Sequence, residues 1–396
     1  MKVLFANTEK RGGAWIACKR FAEELQNQET EVSVLTADDL KDSAIFGRVK
    51  RMLIETNQRS KQAQWQSRNP DYPGVFTLES SAMANGLLDR SNGHDITHLH
   101  WVSYLLDWKQ FFTQRDVSKP LFWTWHDQNP MSGGRHYEDK EEALFSSPSD
   151  PLEQEIWITK CELVSQSDNL WVITPSKWLA NLAKQHPAWS KAEIRTIHNG
   201  VDTKLFSPGD VSIARQALDL PAKGTAFLFV ADSLKDPRKG GDLLNAALEQ
   251  LPDSDWFSIS LGGSSPPTTR GNHFHLGHLS NERFLPLVYR AANALIVPSR
   301  VDNLPNTAVE AFACGVPVIA FNTGGLGDII DDQTNGLLID TLSDDALANA
   351  LGGLINEPEM LSLWGANARA KALDEFDIAK QSTRYRQLYD EALEKA

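Results

Sequence analysis

Short apolar runs alternate with amphipathic stretches along this chain, and the alternation runs through both halves. In the first half Val3 to Ala6, Val32 to Thr36, Ile96 to Trp101, Leu121 to Trp125 and Leu170 to Thr174 have strand length, while Ala14 to Gln26 and Trp178 to Gln185 carry helical spacing. Apolar strands separated by helices predict a parallel sheet covered on both faces. The second half repeats the scheme, with strands at Ala226 to Ala231, Phe257 to Leu261, Ala294 to Pro298 and Val316 to Phe321, and helices at Gly241 to Leu251 and Asn306 to Ala313. Two doubly wound, Rossmann-like α/β domains are expected. A weak echo between Trp171 to Ser176 and Leu295 to Ser299, each a strand leading into a Pro-Ser turn, agrees with two similar sheets.

Ile194 to Asp202 closes the first half and Ser207-Pro208-Gly209 reads as a linker. The expected boundaries are therefore 1–206 and 207–375, followed by a helical segment, 376–396, with no further strand to pair; it is expected to cross back onto the first domain. Asp127 to Pro151, rich in Gly, Ser, Pro and charge, reads as a long loop over the sheet's edge.

A chain of 396 residues is too long for one ordinary core, and two domains imply a cleft. No run approaches the roughly 20 apolar residues of a membrane span, and the apolar start of the chain stops at Asn7, shaped like a first strand and not a signal peptide. A soluble, cytoplasmic protein is the expectation. Cys18, Cys161 and Cys314 match neither a metal spacing nor a disulfide framework. A net charge of -13 argues against nucleic acid, whose phosphates call for a basic surface. Locally, Ile45 to Arg68 sets Arg48, Lys50, Arg51, Arg59, Lys61 and Arg68 against one acid, Glu55, with Phe46, Val49, Met52 and Leu53 at helical spacing. The stretch reads as an amphipathic surface helix, and peripheral contact with an anionic membrane face is the alternative.

Ligands of doubly wound sheets bind outside the carboxyl ends of the strands. The first such end, Asn7 to Ala14, carries Gly12-Gly13 ahead of a helix and reads either as a tight turn or as a phosphate contact. At the second, Trp125-His126-Asp127, an apolar strand delivers a histidine; His126 is a site candidate against the plainer reading of a loop hydrogen bond. His94, His98 and His100 raise the question of a metal, but the last two share one face of an apolar strand, and no metal is expected. The third end places Arg238-Lys239-Gly240-Gly241 where a helix N-terminus is already positive, an arrangement explained either by a bound diphosphate or by solvent screening that makes it nearly free on an exposed end. The fourth, Asp302-Asn303-Leu304-Pro305-Asn306-Thr307 and on to Glu310, brings two acids to a turn and the helix after it, either to bind a sugar and a ribose or to pair with the helix dipole. Asp253-Ser254-Asp255 has the DxD form of a metal-bound diphosphate site but falls at the amino ends of the strands, away from the crevice.

Taken together, the Arg238-Lys239-Gly240 element and the Asp302 to Glu310 element resemble family 4 of the glycosyltransferases, the retaining enzymes of the GT-B fold. The resemblance runs through Gly12-Gly13, His126-Asp127, the His198 to Asp202 hinge and the C-terminal helix. It implies two Rossmann-like domains facing a central cleft, with an acceptor on the first and a nucleoside-diphosphate sugar on the second. His126, Arg238 and Lys239 are then the catalytic groups, and Gly12, Gly13, Asp302, Asn303, Leu304, Asn306, Thr307 and Glu310 the donor-binding ones. No metal or other cofactor is implied, and the departing phosphate takes the acceptor's proton. The family signature has two glutamates separated by seven residues; Asp302 stands at the first, one methylene shorter, and Asp232 stands where members often carry an arginine. The segments His98 to Trp101 and Gly133 to Tyr137 resemble members that build bacterial surface polysaccharides, with a glycan or lipid-linked acceptor. Two rival readings remain: a nucleotide-sugar epimerase of the same fold, and a non-catalytic nucleotide-sugar-binding protein.

Overall fold

The computed structural model describes residues 1–40, 45–233, 236–279 and 281–396, with residues 45–50 and 84–85 in backbone only. The chain forms two compact units, Met1–Ile197 with Ser382–Ala396, and His198–Gln381. The division falls before Ser207-Pro208-Gly209 because residues 198–206 are tied into the second unit: Asn199 donates to the Leu304 carbonyl oxygen, and the Val201 N–H to that of Phe376.

In the first unit β1 (Lys2–Ala6), β2 (Glu31–Leu35), β3 (Ile96–Leu99), β4 (Leu121–Thr124), β5 (Leu170–Thr174) and β6 (Glu193–Thr196) form one parallel sheet in the order β2-β1-β3-β4-β5-β6. Register aligns Phe5, His98, Phe122 and Trp171 in one row across the sheet. The C-terminal helix, Ile378–Lys395, covers this row: the Tyr389 ring meets Phe122 edge-on at 4.8 Å and Tyr385 meets Phe21 at 4.6 Å. His98, 0% exposed, is satisfied from both sides, by the Tyr389 hydroxyl at Nδ1 and by Thr124 Oγ1 at Nε2, and Thr124 is in turn bonded to the Tyr385 hydroxyl. Tyr389→Phe keeps the ring and strands one imidazole nitrogen, so it is expected to cost about 1–3 kcal/mol. A urea midpoint equal to wild type would contradict this account of how the helix is held.

The second sheet consists of β7 (Thr225–Val230), β8 (Trp256–Leu261), β9 (Thr268–Arg270), β10 (His273–His275), β11 (Ala294–Val297), β12 (Val318–Phe321) and β13 (Gly336–Ile339), in the order β13-β12-β11-β7-β8-β10-β9. β9 is the antiparallel edge strand, and the others run parallel. With β9 set aside, the six parallel strands follow the order of dinucleotide-binding domains, and the order reverses between β7 and β11.

The helix at Ile45–Arg68 forms as expected, with Met52 and Leu53 exposed and Trp65 buried against Phe76; the side chains of Phe46, Arg48, Val49 and Lys50 lie outside the described residues. Among the described residues, no helix is long and apolar enough to cross a membrane. One expectation is corrected. The segment after Asp127 does not run over the sheet's edge, because β4 lies between β3 and β5 in the sheet's interior. Residues 127–134 are buried and hydrogen-bonded, and a helix, Pro151–Ser165, follows them.

Candidate active site

In the second unit, the loops after β7 and β11 meet at the reversal point. Asp236 opens a single turn, Pro237–Lys239, by accepting the Arg238 N–H at 3.0 Å. Gly240 follows with φ +67°, and a Cβ there would lie 1.8 Å from the Pro298 carbonyl oxygen, so the residue type fixes how closely the loops approach. The Arg300 N–H bonds the Arg238 carbonyl oxygen at 2.8 Å. Held this way, Lys239 Nζ donates to Asp302 Oδ2 at 2.6 Å, and the Arg238 guanidinium lies 3.4 Å from the same oxygen while donating to the Val301 carbonyl. Burial alone pushes the Asp302 carboxyl up, but Lys239 and Arg238 outweigh it and hold the group below its ordinary value. Asn303 N–H bonds Asp302 Oδ1, and Gly325 N–H bonds the Asp302 carbonyl oxygen.

The rest of the expected donor site follows in order. Leu304 is buried in the hydrophobic core, and its carbonyl oxygen accepts from the Asn199 side chain at 3.1 Å. Asn306 begins the helix Asn306–Ala313, its side-chain oxygen accepting from Asn199 at 3.0 Å, and Thr307 lies half-buried in the first turn. Glu310, 3% exposed, accepts from the Tyr289 hydroxyl at 2.6 Å. Asp253-Ser254-Asp255 precedes β8 and so stands at the opposite end of the sheet.

The first sheet changes direction between β1 and β3. Gly12, φ +77°, opens the helix Gly12–Asn27, and a Cβ on it would meet open space. This turn is laced to the segment after β3: the Trp101 N–H donates to Asn7 Oδ1, the Thr8 N–H to the Trp101 carbonyl, and the Thr8 hydroxyl to the Ser103 carbonyl. His126 stands just past β4 with Nε2 3.1 Å from Nδ1 of His100, and the rings of His98, His100 and His126 stack in series. Burial holds His126 down to about 4 and His100 well below its usual range, so both are neutral at pH 7. Asp127 accepts from the Trp101 indole at 3.1 Å, from His136 at 2.6 Å and from the Asn129 N–H at 2.9 Å. Beneath them Lys160, buried, donates to the carbonyl oxygens of Asn129 and Ser132 and is lowered to about 7 by burial.

The structure thus brings Arg238, Lys239 and Asp302 into contact in the second unit, and in the first places His126 against His100. His100, Trp101, His136 and Tyr289 complete these arrangements without having been singled out as site residues in the sequence. The i, i+2 spacing of His98 and His100 put them on one face, but nothing local to the chain pointed either at His126.

Residues 11–205 match the family described as Glycosyltransferase Family 4, and residues 268–371 the family described as Glycosyl transferases group 1. A D-inositol 3-phosphate glycosyltransferase of Xylanimonas cellulosilytica is 30% identical over 321 residues, which cover 76% of this chain and 73% of the relative. Among solved structures, sucrose-phosphate synthase from Thermosynechococcus elongatus superposes with a TM-score of 0.72 at 20% identity over the whole of both chains. The Anabaena protein HepE in complex with UDP and glucose gives 0.70 at 17% identity, covering 99% of this chain and 100% of its own. At such identities these two likenesses speak for the fold.

Proposed function

Because the chain belongs to glycosyltransferase family 4, we propose that it moves a hexose, with retention of anomeric configuration, from a nucleoside-diphosphate sugar to an acceptor hydroxyl in surface-polysaccharide or glycoconjugate synthesis. The observation that carries the donor side is the meeting of Lys239, Arg238 and Asp302 at the strand-order reversal. Two cations beside a helix N-terminus suit a diphosphate, whose growing charge they stabilise as the glycosidic bond breaks. The negative charge now facing them belongs to Asp302. In this reading the diphosphate takes over Lys239 and Arg238, and Asp302, with the main-chain N–H groups around Asn303 and Leu304, turns to the hexose hydroxyls. Glu310 accepts hydrogen bonds from the ribose, held in place by Tyr289. The leaving phosphate oxygen removes the acceptor's proton, so no metal is called on.

Neutral His126 is a hydrogen-bonding group in this scheme and not an acid, since its ring stays unprotonated well below pH 7. His126→Ala is expected to lower turnover at least about a hundredfold, as for loss of one preorganised hydrogen bond; near-normal turnover removes that role. The acceptor lies on the first unit, and the protein works in the cytoplasm, with Ile45–Arg68 as an amphipathic surface helix for which peripheral contact with the inner face of the membrane is the alternative.

The UDP in the HepE complex and the inositol phosphate in the relatives' name supply the first ligands to try. The decisive experiment is calorimetric titration with UDP, GDP and ADP, with and without EDTA, on wild type, Lys239→Ala and Glu310→Ala. Binding of one nucleotide that survives EDTA and is lost in both variants is the expected result. Failure to bind any of the three overturns the reading, and binding that needs a divalent cation overturns its metal-free form.

A further inference from the structure

A third cation, Arg300, stands at the strand-order reversal of the second unit, and the donor site described above leaves it without a role. It lies in the loop after β11, and its backbone N–H donates to the Arg238 carbonyl oxygen at 2.8 Å. Its side chain turns back over the loop after β7. Nη1 donates to the Pro237 carbonyl oxygen at 2.6 Å and to Asp242 Oδ1 at 2.8 Å, and Nη2 donates to Asp242 Oδ2 at 2.7 Å. Pro237 opens the turn that presents Arg238 and Lys239, and Asp242 lies in the first turn of the helix Gly241–Glu249 that follows. One guanidinium therefore holds that turn from both sides. Arg238 reaches the other way, from the loop after β7 to the Val301 carbonyl oxygen at 3.2 Å, so the two loops exchange arginines across the reversal. The hydrogen bonds from Arg300 hold the Asp242 carboxyl below its ordinary value, and the pair is charged on both sides at pH 7.

Stability does not account for this pair. Its side chains are 36% and 64% exposed, and ion pairs so open to water add little to folding. Two parallel N–H···O bonds fix direction as well as distance, however, and a carbonyl held by the same fork fixes the turn. We propose that Arg300 is a positioning residue for the donor diphosphate: it does not touch the phosphates but clamps the Pro237–Lys239 turn so that Arg238 and Lys239 face them. The inference rests on the donor reading above and adds a residue to it. Both Nη1 protons and one of Nη2 are taken, which aims the fork at Asp242 and Pro237 and not at a ligand. Lysine cannot replace it, since one ammonium has no planar fork to hold a carbonyl and a carboxylate at fixed angles. A shift of about 1 Å in groups that act on the reacting centre costs up to about a hundredfold in rate. Because Arg238 and Lys239 act most on charge that grows as the glycosidic bond breaks, a loosened turn lowers kcat more than it raises the donor KM.

The test uses the whole chain as wild type, Arg300→Lys, Arg300→Gln, Asp242→Asn and Arg300→Gln/Asp242→Asn. Initial rates are measured with the nucleotide sugar whose nucleotide the wild type binds, and binding of that nucleoside diphosphate is measured by calorimetry. Each single variant is expected to lower kcat roughly ten- to a hundredfold, with the acceptor KM and the thermal midpoint close to wild type. Arg300→Lys should do no better than Arg300→Gln, and the double variant no worse than Arg300→Gln alone, because the two side chains act as one unit. Asp242→Asn decides the sign. A released clamp weakens diphosphate binding, whereas an Arg300 that meets the phosphates itself is set free by the substitution and strengthens it. Full turnover in Arg300→Lys, unchanged kcat in Arg300→Gln, or tighter diphosphate binding in Asp242→Asn overturns the proposal and leaves the transferase reading in place. A wild type that binds no nucleotide and transfers no sugar overturns that reading and this inference with it.

Discussion

Lys239→Ala is expected to cut kcat/KM at least about a hundredfold, the usual loss when one preorganised charge on a leaving group is removed. The residue also pairs with Asp302, so a loss of activity alone leaves two explanations open: a missing diphosphate contact, or a carboxylate left buried beside a single remaining cation, Arg238, at 3.4 Å. The second effect destabilises by about 1–3 kcal/mol. Asp302 separates the two. In Lys239→Ala/Asp302→Asn the uncompensated charge is gone, so the thermal midpoint should return towards wild type while turnover stays low. Recovery of turnover in the double variant would falsify the diphosphate role and leave Lys239 as a counter-ion for Asp302. Acid titration gives an independent check. Since the folded protein holds the Asp302 carboxyl below its unfolded value, the pair's stabilisation is fully present above about pH 4 and is lost as the pH falls further. Lys239→Ala should show less of that acid-side loss.

Gly240→Ala is expected to be severely damaging to the site. Left-handed backbone costs a residue with a Cβ about 1–2 kcal/mol, and this Cβ would lie 1.8 Å from the Pro298 carbonyl oxygen, far inside contact distance. Overpacking of that kind costs a further ~1–3 kcal/mol as the neighbouring backbone shifts. The strain cannot be relieved without parting the loops after β7 and β11, which carry Lys239 and Asp302. Nucleotide binding, followed by calorimetry, should therefore disappear together with thermal stability. Gly12→Ala is the control: its φ, +77°, is as unfavourable, but a Cβ meets nothing within 4 Å. It should lose about 1–2 kcal/mol of stability from backbone strain alone. Equal damage from the two substitutions would show that the close approach at Pro298 contributes nothing.

The interior strands were legible in the sequence because they are short runs of apolar residues buried on both faces, as in Leu170–Thr174, which the structure reproduces residue for residue. Helices whose packing stripe is made of small residues were missed. Pro358–Glu375 buries Leu361, Trp364, Gly365, Ala368 and Ala372, a helical spacing in which three of five members look neutral when read as apolar or polar. A Cβ on Gly365 would lie 2.2 Å from the Gly315 carbonyl oxygen, so smallness there is the packing signal. Short strands paired at an edge, β9 and β10, have too few residues to show a period. The candidate site was legible as a set of loop segments, but its pairings were not. Lys239 and Asp302 were assigned to different parts of a donor, yet they touch, because β7 and β11 are neighbours in the sheet although two other parallel strands separate them in sequence. Asp127 was noted beside His126, while the residues that engage it, Trp101 and His136, come from a different strand end and from a loop read as lying at the edge.

The C-terminal helix sets a schedule for biosynthesis. The row Phe5, His98, Phe122 and Trp171 is translated early, but its cover, Tyr385 and Tyr389, is made only after the whole of His198–Gln381. At about 5–20 residues per second that interval lasts roughly ten to forty seconds. During it the nascent first unit presents an uncovered aromatic face to solvent, the sort of surface that chaperones bind, while the second unit has all of its own residues and is free to fold to completion first. Order of synthesis and order of completion are thereby reversed, and a ribosome that stalls late leaves the oldest part of the protein unfinished.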